Sequence, residues 1–323
     1  MAVSAVIPHW NRRDLLAQLL ENLRLQTRRF EEIIVADNGS TDGSAEMAEQ
    51  AGAKVVRMGS NRGFAAAVNR GIEAAGSAWI AILNNDVTLD PEWLETLLAA
   101  AEREGAWFAT GKILRADNPA IIDATFDEVS RGACAWRCGA GRPDGPVWNE
   151  AQRIRIAPMT AALFRREVFE EVGALDVSFE SYLEDVDFGL RCASTGRFGI
   201  YAPEAMARHI GSATSGEWNK DTVRRIARNQ ILLARKHFGE FSLWAIVAGQ
   251  LLWGLVACRH GKGFSYLRGK FQGLLSGTIS RSKAVVGTTV ESVVEESEQR
   301  ILELQRQTGF DSYWRAYFWL SPR

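Results

Sequence analysis

The chain has 323 residues, 46% of them hydrophobic, with 38 basic residues against 39 acidic ones. That composition excludes a disordered chain and supplies material for a large core, and the near-neutral balance argues against a wholesale nucleic-acid binder. The charge is nevertheless uneven, with thirteen Lys or Arg against three acids between Arg208 and Lys283. The four cysteines, Cys134, Cys138, Cys192 and Cys258, do not make a disulfide framework in a chain of this length. Cys134 and Cys138 also lack the second Cys/His pair that a zinc site needs. Ala2 to Ile7 reads as a strand rather than as a cationic, apolar leader, so the expected setting is a cytoplasm with reduced thiols.

In chain order, Val3 to Ile7 is a short strand stopped by Pro8, and Asp14 to Leu25 carries leucines at helical spacing (Leu15, Leu16, Leu19, Leu20, Leu23). Glu32 to Ala36 is a second strand, ending in Asp37-Asn38-Gly39-Ser40-Thr41-Asp42-Gly43-Ser44 before a helix over Ala45 to Gly52. A third strand, Lys54 to Arg57, runs into Asn61-Arg62-Gly63-Phe64 and a helix from Ala65 to Ala75. Trp79 to Leu83 is an apolar run of the length expected of a strand buried on both faces, and it stops at Asn84, Asn85 and Asp86. Strands alternating with helices at short spacing predict an α/β fold with a doubly wound, mostly parallel sheet. Every polar cluster falls at a strand C-terminus, facing the crevice where such sheets hold ligands. Turn and cap chemistry accounts for the same residues equally well at this level. Asp37 is placed to accept hydrogen bonds from a base or ribose, but neither G-x-x-x-x-G-K-[ST] nor G-x-G-x-x-G is present.

Val6-Ile7-Pro8 with Asn11, then Asp37 to Asp42, Asn61-Arg62-Gly63-Phe64 and Asn84-Asn85-Asp86, come in the order and spacing of inverting family 2 glycosyltransferases. The sequence resembles the rhamnosyltransferase branch of that family. The resemblance implies a GT-A fold over residues 1–220. It implies a nucleoside-diphosphate sugar, dTDP- or UDP-linked, held by Pro8, Asn11, Asp37, Asn38, Asn61, Arg62, Gly63, Asn84 and Asn85. It also implies a divalent cation, Mg2+ or Mn2+, on Asp86, the metal-binding member of the D-x-D motif. Asn84 stands where that motif has its first Asp, so this site has one carboxylate fewer than the standard form.

Trp93 to Glu102 is an amphipathic helix and Phe108 to Ile113 a strand. Asp117 to Glu150 is rich in Gly and Pro and reads as a long irregular excursion, either part of the acceptor-side wall or an ordered surface loop. Arg155 to Phe164 resumes the strand pattern, and Arg165 to Gly173 is a short helix. Phe179 to Arg191 then contains Glu184, Asp185 and Asp187, three acids in four residues. Crowding raises at least one pKa of such a group, while acids at a helix N-terminus are also ordinary dipole complements. The segment is similar to the family's E-D-x-D-x-x-x-R, which implies Asp185 as the base that deprotonates the acceptor hydroxyl. Glu184 and Asp187 then shape the site and hold cations such as Arg191. Gly199 to Ala202 is a strand near the sheet edge. His209 follows where the family places a diphosphate or metal contact, and Gly211 to Ser215 has the composition of a mobile lid.

From Asp221 the character changes. Asp221 to Phe238 is a basic helix, and Phe241 to Cys258 is uncharged and borderline in length for a membrane span. Its tryptophans and flanking Arg259, His260, Lys262, Arg268 and Lys270 suit a helix lying on an anionic membrane, a helix buried against the first domain being the other reading. Thr288 to Gln307 is an acidic amphipathic helix, and the aromatic Phe310 to Leu320 reads as an interfacial or docking segment. Residues 221–323 are therefore expected to form a helical extension that contacts the inner face of the cytoplasmic membrane or a second copy of the chain. The acceptor implied is a glycan or a polyprenyl-diphosphate-linked sugar of cell-envelope polysaccharide synthesis, with L-rhamnose as the sugar moved. Two other functions share many of these features: a nucleotidyltransferase, which needs a basic triphosphate loop in place of Pro8-His9-Trp10-Asn11, and a non-catalytic module that binds a nucleotide sugar or lipid.

Overall fold

A computed structural model of the chain describes residues 1–211, 218–239, 243–277 and 289–322. The first part alternates as expected: β1 (Val3–His9), α1 (Arg13–Arg24), β2 (Glu32–Asp37), α2 (Ser44–Gln50), β3 (Lys54–Arg57), α3 (Phe64–Ala74), β4 (Trp79–Leu83), β5 (Val87–Leu89), α4 (Trp93–Glu104) and β6 (Phe108–Arg115). The next part holds β7 (Ile122–Ala124), β8 (Asp127–Val129), β9 (Ala135–Arg137), β10 (Gln152–Ile154), β11 (Ala161–Arg165), α5 (Arg166–Val172), α6 (Glu184–Ser194) and β12 (Gly199–His209). The described remainder is helical: α7 (Lys220–His237), α8 (Leu243–Arg259), α9 (Gly263–Leu275), α10 (Val290–Thr308) and α11 (Ser312–Leu320).

The main sheet runs β10-β12-β6-β11-β4-β1-β2-β3, with β5 on β12 and β7 on β6. β1 pairs in parallel with β2 and β4, and β2 with β3. β11 lies antiparallel between β4 and β6, which turns β6, and β12 parallel to it, back to the common direction. The sheet is thus mostly parallel, and the period-two alternation of its strands fills both faces. Ala5, Ile7, Trp79, Ala81 and Leu83 pack with leucines of α1 and α4. Val6, Ile34, Ile80, Ile82 and Phe164 face α3, α5 and α6.

Three expectations change. The excursion from Asp117 to Glu150 is substantially ordered: β8 and β9 form a hairpin, β7 joins the sheet, and Phe126, Cys138 and Trp148 are buried. Its strands are three residues long and its cover comes from α10 and α11, with Trp136 packing edge-on against Trp314. No local pattern reports such a tertiary effect. The strand expected over Arg155 to Phe164 shortens to β11 in the sheet centre, because Pro158 before it has no amide to donate, while β10 ends on β12 at Ile154, ahead of the expected start. β12 lies near the sheet edge, next to the short β10, but is longer than expected; Pro203 falls in the register shift between Ala202 and Met206, and the strand then continues to His209.

The C-terminal helices share the core of the preceding part. Val293 and Val294 of α10 cluster with Val186 and Leu190 of α6, while Ile301, Leu304, Trp314 and Tyr317 join the cluster under the sheet. Phe241, Ser242 and Thr288 lie outside the described residues, as do residues 212–215 of the expected lid. Among the described residues no helix is long and apolar enough to cross a membrane.

Candidate active site

Sheet register builds the first cluster. Val87 pairs with His209, so Asp86, one residue before β5, meets the end of β12, and the Ile210 amide donates to the Asp86 carbonyl. β6 pairs with β12 on one side and with β7 on the other, which brings Asp123 to the opposite edge of the same imidazole. His209 Nε2 lies 3.1 Å from Asp86 Oδ1, and Nδ1 lies 2.9 Å from Asp123 Oδ2. Burial works against the imidazolium, but the bonds to Asp123 and Asp86 outweigh it and raise the His209 pKa to about 9. Asp123 is not marked by any sequence signal, since it lies in the Gly- and Pro-rich stretch. Next to this cluster, Asn85 Nδ2 donates to His9 Nδ1 at 2.9 Å, and burial lowers the His9 pKa to about 4, leaving that nitrogen free to accept.

The second cluster is the set of loops after β1, β2 and β3. Asp37 at the end of β2 accepts from the Ser40 amide at 3.2 Å, and Asn11 Oδ1 accepts from the Thr41 amide at 3.0 Å. Asn38 Nδ2 donates to Asn61 Oδ1 and to the Gly63 carbonyl, each at 3.1 Å, while its Oδ1 accepts from the Arg62 amide at 2.8 Å. The side chains of Asn38 and Asn61 therefore brace the loops, and Arg62 is exposed. Pro8 pairs with Ala36 at the base of this group, and the Asn84 amide donates to the Thr160 carbonyl at 2.9 Å. Gly63 has φ +88°, and a Cβ there would sit 2.6 Å from the Glu180 carbonyl oxygen. The same carbonyl accepts from the Ala65 amide at 3.0 Å, and Ser181 Oγ accepts from Phe64 at 3.1 Å. Only glycine permits this approach, which ties the Asn61 loop to the segment that leads into α6.

That segment is strained. Glu180, Tyr182 and Leu183 all have positive φ, a conformation costly for L side chains. Asn229 of α7, fully buried, holds it by placing Nδ2 within 2.7 Å of the Phe179 and Tyr182 carbonyls and 2.9 Å of that of Ser181. Sequence reading passed over Asn229, because a single Asn in a basic helix carries no signal.

α6 then opens with the three acids, and their surroundings separate them. Asp187 is fully buried; burial opposes its charge, but His237 Nε2 at 2.8 Å, Arg191 Nε at 3.0 Å and Lys236 Nζ at 2.9 Å outweigh it and hold its pKa well below the usual carboxylate range. Arg191 also donates to the carbonyls of Val172, Gly173 and Ala174, so this pair braces the helix. Glu184 goes the other way, pushed well above its usual value by burial and by the charge of Asp185, with Oε2 buried and unpartnered. Asp185 is raised by burial but restrained by Arg137 of β9, whose guanidinium lies 3.8 Å from Oδ2; its Oδ1 accepts from the Val186 amide at 2.9 Å. Arg137 also lies 3.5 Å from Asp127, which burial raises to about 7, and within electrostatic reach of Asp123. One half-buried cation thus stands between the acids of α6 and the His209 cluster. The β8–β9 hairpin that places it was the part read as irregular.

Asp86 and the Nε2 side of His209 converge as a carboxylate and an imidazole, a donor pair that suits a divalent cation. Asp123 sits on the other ring nitrogen, as carboxylates that orient metal-bound histidines do. Among the described residues no group of three His, Cys, Asp or Glu gathers to hold a cation alone. A cation here needs further oxygens, of the kind a diphosphate supplies.

The family model described as Glycosyl transferase family 2 matches residues 4–173. An N-acetylglucosaminyl-diphospho-decaprenol L-rhamnosyltransferase of Mycobacterium tuberculosis is 31% identical over 252 residues, covering 69% of this chain and 81% of the relative. An undecaprenyl-phosphate 4-deoxy-4-formamido-L-arabinose transferase of Proteus mirabilis is 27% identical over 191 residues, 52% of this chain and 58% of the relative. Among solved structures, GalNAc-T7 with UDP, GalNAc and Mn2+ superposes with a TM-score of 0.63 at 13% identity, covering 98% of this chain and 56% of that one. The mannosyltransferase PcManGT from Pyrobaculum calidifontis with GDP-Man and Mn2+ gives 0.54 at 15% identity, covering 98% and 85%. These likenesses establish the architecture shared with GT-A glycosyltransferases.

Proposed function

The chain belongs to glycosyl transferase family 2, in its rhamnosyltransferase-like branch, and from that premise we propose that it moves L-rhamnose from a dTDP- or UDP-linked donor to a hydroxyl of a lipid-linked sugar. The product belongs to a cell-envelope polysaccharide, and the acceptor is presented at the inner face of the cytoplasmic membrane. The lipid-linked acceptor named for the Mycobacterium tuberculosis relative supports that part of the reading.

The observation that carries the assignment of roles is the separation of the three α6 acids. Asp187 is locked as an anion among His237, Lys236 and Arg191, while burial and the charge of Asp185 push Glu184 well above the usual carboxylate range. Asp185 is left with a raised pKa beside Arg137, the state suited to a general base. Asp185 removes the proton from the acceptor hydroxyl, the oxygen attacks the anomeric carbon, and the bond to the nucleoside diphosphate breaks in one displacement. The loops of Asn11, Asp37, Asn38, Asn61, Arg62 and Gly63, with Asn84 and Asn85, hold the donor. Asp86 and His209 would hold Mg2+ or Mn2+ against its diphosphate, where a cation neutralises charge on the leaving group.

Replacing Asp185 by Asn tests this. Transfer falls by about 10²-fold or more, while donor binding followed by thermal shift with dTDP- and UDP-sugars stays near that of the unsubstituted chain. Substantial residual turnover would sink the role given to Asp185.

A further inference from the structure

The apolar side chains that the fold leaves outside gather on two consecutive helices. On α8 they recur at every fourth position, Leu243, Val247, Leu251 and Leu255, with Leu243 73% exposed. On α9 they fall at Phe264, Leu267, Phe271 and Leu274, again one stripe, with Phe264 81% exposed. Alongside, Trp244 donates from Nε1 to the Leu320 carbonyl, next to Trp319 at 79% exposure. Neither helix contains an Asp or Glu, in a chain whose charges otherwise balance, and Arg259, Lys262 and Arg268 border the stripes.

The opposite faces of these helices are fixed to the fold. Gln250 Nε2 donates to the Gly132 carbonyl at 2.7 Å, and Gly249 packs on the Gly132 backbone. A Cβ on Gly269 or Gly273 would lie 2.2 Å from the Arg224 carbonyl oxygen or 2.7 Å from that of Arg228, so α9 lies directly on α7. α8, 17 residues long, cannot leave to span a bilayer without breaking these contacts. A second copy docked through the same surface would set cation against cation.

We infer that the exposed stripes of α8 and α9 form a docking face for an anionic lipid bilayer, with both helices lying in the plane of the interface. The apolar stripes enter the headgroup boundary and Arg259, Lys262 and Arg268 meet lipid phosphates. This deepens the proposed function and rests on its lipid-linked acceptor. Through α7, whose Asn229 holds the Phe179–Tyr182 carbonyls, the face is one helix away from the segment that carries the base. The bilayer thereby fixes the height at which the acceptor sugar reaches Asp185.

The test is co-sedimentation of the full chain with vesicles of phosphatidylglycerol and phosphatidylcholine, or of phosphatidylcholine alone. It compares the unsubstituted chain with Leu267→Glu/Phe271→Glu and with Arg259→Glu/Arg268→Glu. The unsubstituted chain is expected to be retained on the anionic vesicles in a salt-sensitive way, with retention about tenfold or more weaker for either variant. Thermal shift with the nucleotide sugar, unchanged in both variants, shows that they fold. Retention equal in all three proteins, or no retention of the unsubstituted chain, overturns the proposal. So does light scattering that shows a dimer dissociated by Leu267→Glu/Phe271→Glu without any vesicle binding. Retention without donor-induced stabilisation supports the face and counts against the transfer reading.

Discussion

Arg137 is the residue on which the chemistry of the proposed base depends. Burial pushes the Asp185 carboxyl up, and the guanidinium 3.8 Å away pulls against it. Replacing Arg137 by Met removes that pull, so the Asp185 pKa rises and the acid limb of the kcat/KM profile moves to higher pH. Lys at the same position restores part of the shift, whereas a loss of activity with an unchanged profile would count against the role. Asp123 acts in the same indirect way on His209. Asp123→Asn is expected to weaken Mn2+ binding, measured directly by calorimetry in the presence of nucleoside diphosphate, by about 10- to 100-fold. Neither residue was legible in the sequence. Asp185 and Asp86 belong to motifs with fixed neighbours, while Arg137 and Asp123 lie in a stretch whose glycines and prolines mask two short strands. What places them is pairing with segments distant in the chain, to which spacing is blind.

At the scale of elements, the segment before α6 is held in an unfavourable conformation by its surroundings. Three non-glycine residues at positive φ would relax if the Asn229 amide were absent. Asn229→Ala should cost about 2 kcal/mol or more in urea unfolding, because the Phe179, Ser181 and Tyr182 carbonyls lose the buried amide they share. It should also lower kcat more than it weakens donor binding, since Asp185 begins the next turn; equal effects on both would mean that the segment only supports the fold. The alternating strands and helices of the first ninety residues were readable because each is long enough to show its own period. β7, β8 and β9 are three residues each, too short for any period to register.

For the whole molecule, one buried acid makes stability depend on pH in an unusual direction. Glu128, buried beneath α10 where the Ser297 hydroxyl donates to it, has its pKa pushed up to about 7 by burial. Between roughly pH 4.5 and 7 the folded chain holds a proton that the unfolded chain has lost, so stability falls as pH rises through that window. The full effect is on the order of 3 kcal/mol above it. Glu128→Gln should therefore unfold at higher temperature than the unsubstituted chain at about pH 8 and with little difference at about pH 4, followed by circular dichroism. A gap of the same size at both pH values would show that the side chain does not titrate there. α10 lies far in sequence from the loops after β1, β2 and β3, yet it covers both the β8–β9 hairpin and α6.

The close passage of Gly63 under the Glu180 carbonyl has a consequence for exchanging sugar preference between relatives. The loop that would grip the donor and the segment that would deliver the base touch across 117 residues of chain, backbone against backbone. A hybrid that takes its first ninety residues from one relative and the remainder from another joins two surfaces shaped for different companions. Donor choice in such a protein is not portable as a cassette; the two loops have to travel together, with the glycine that lets them meet.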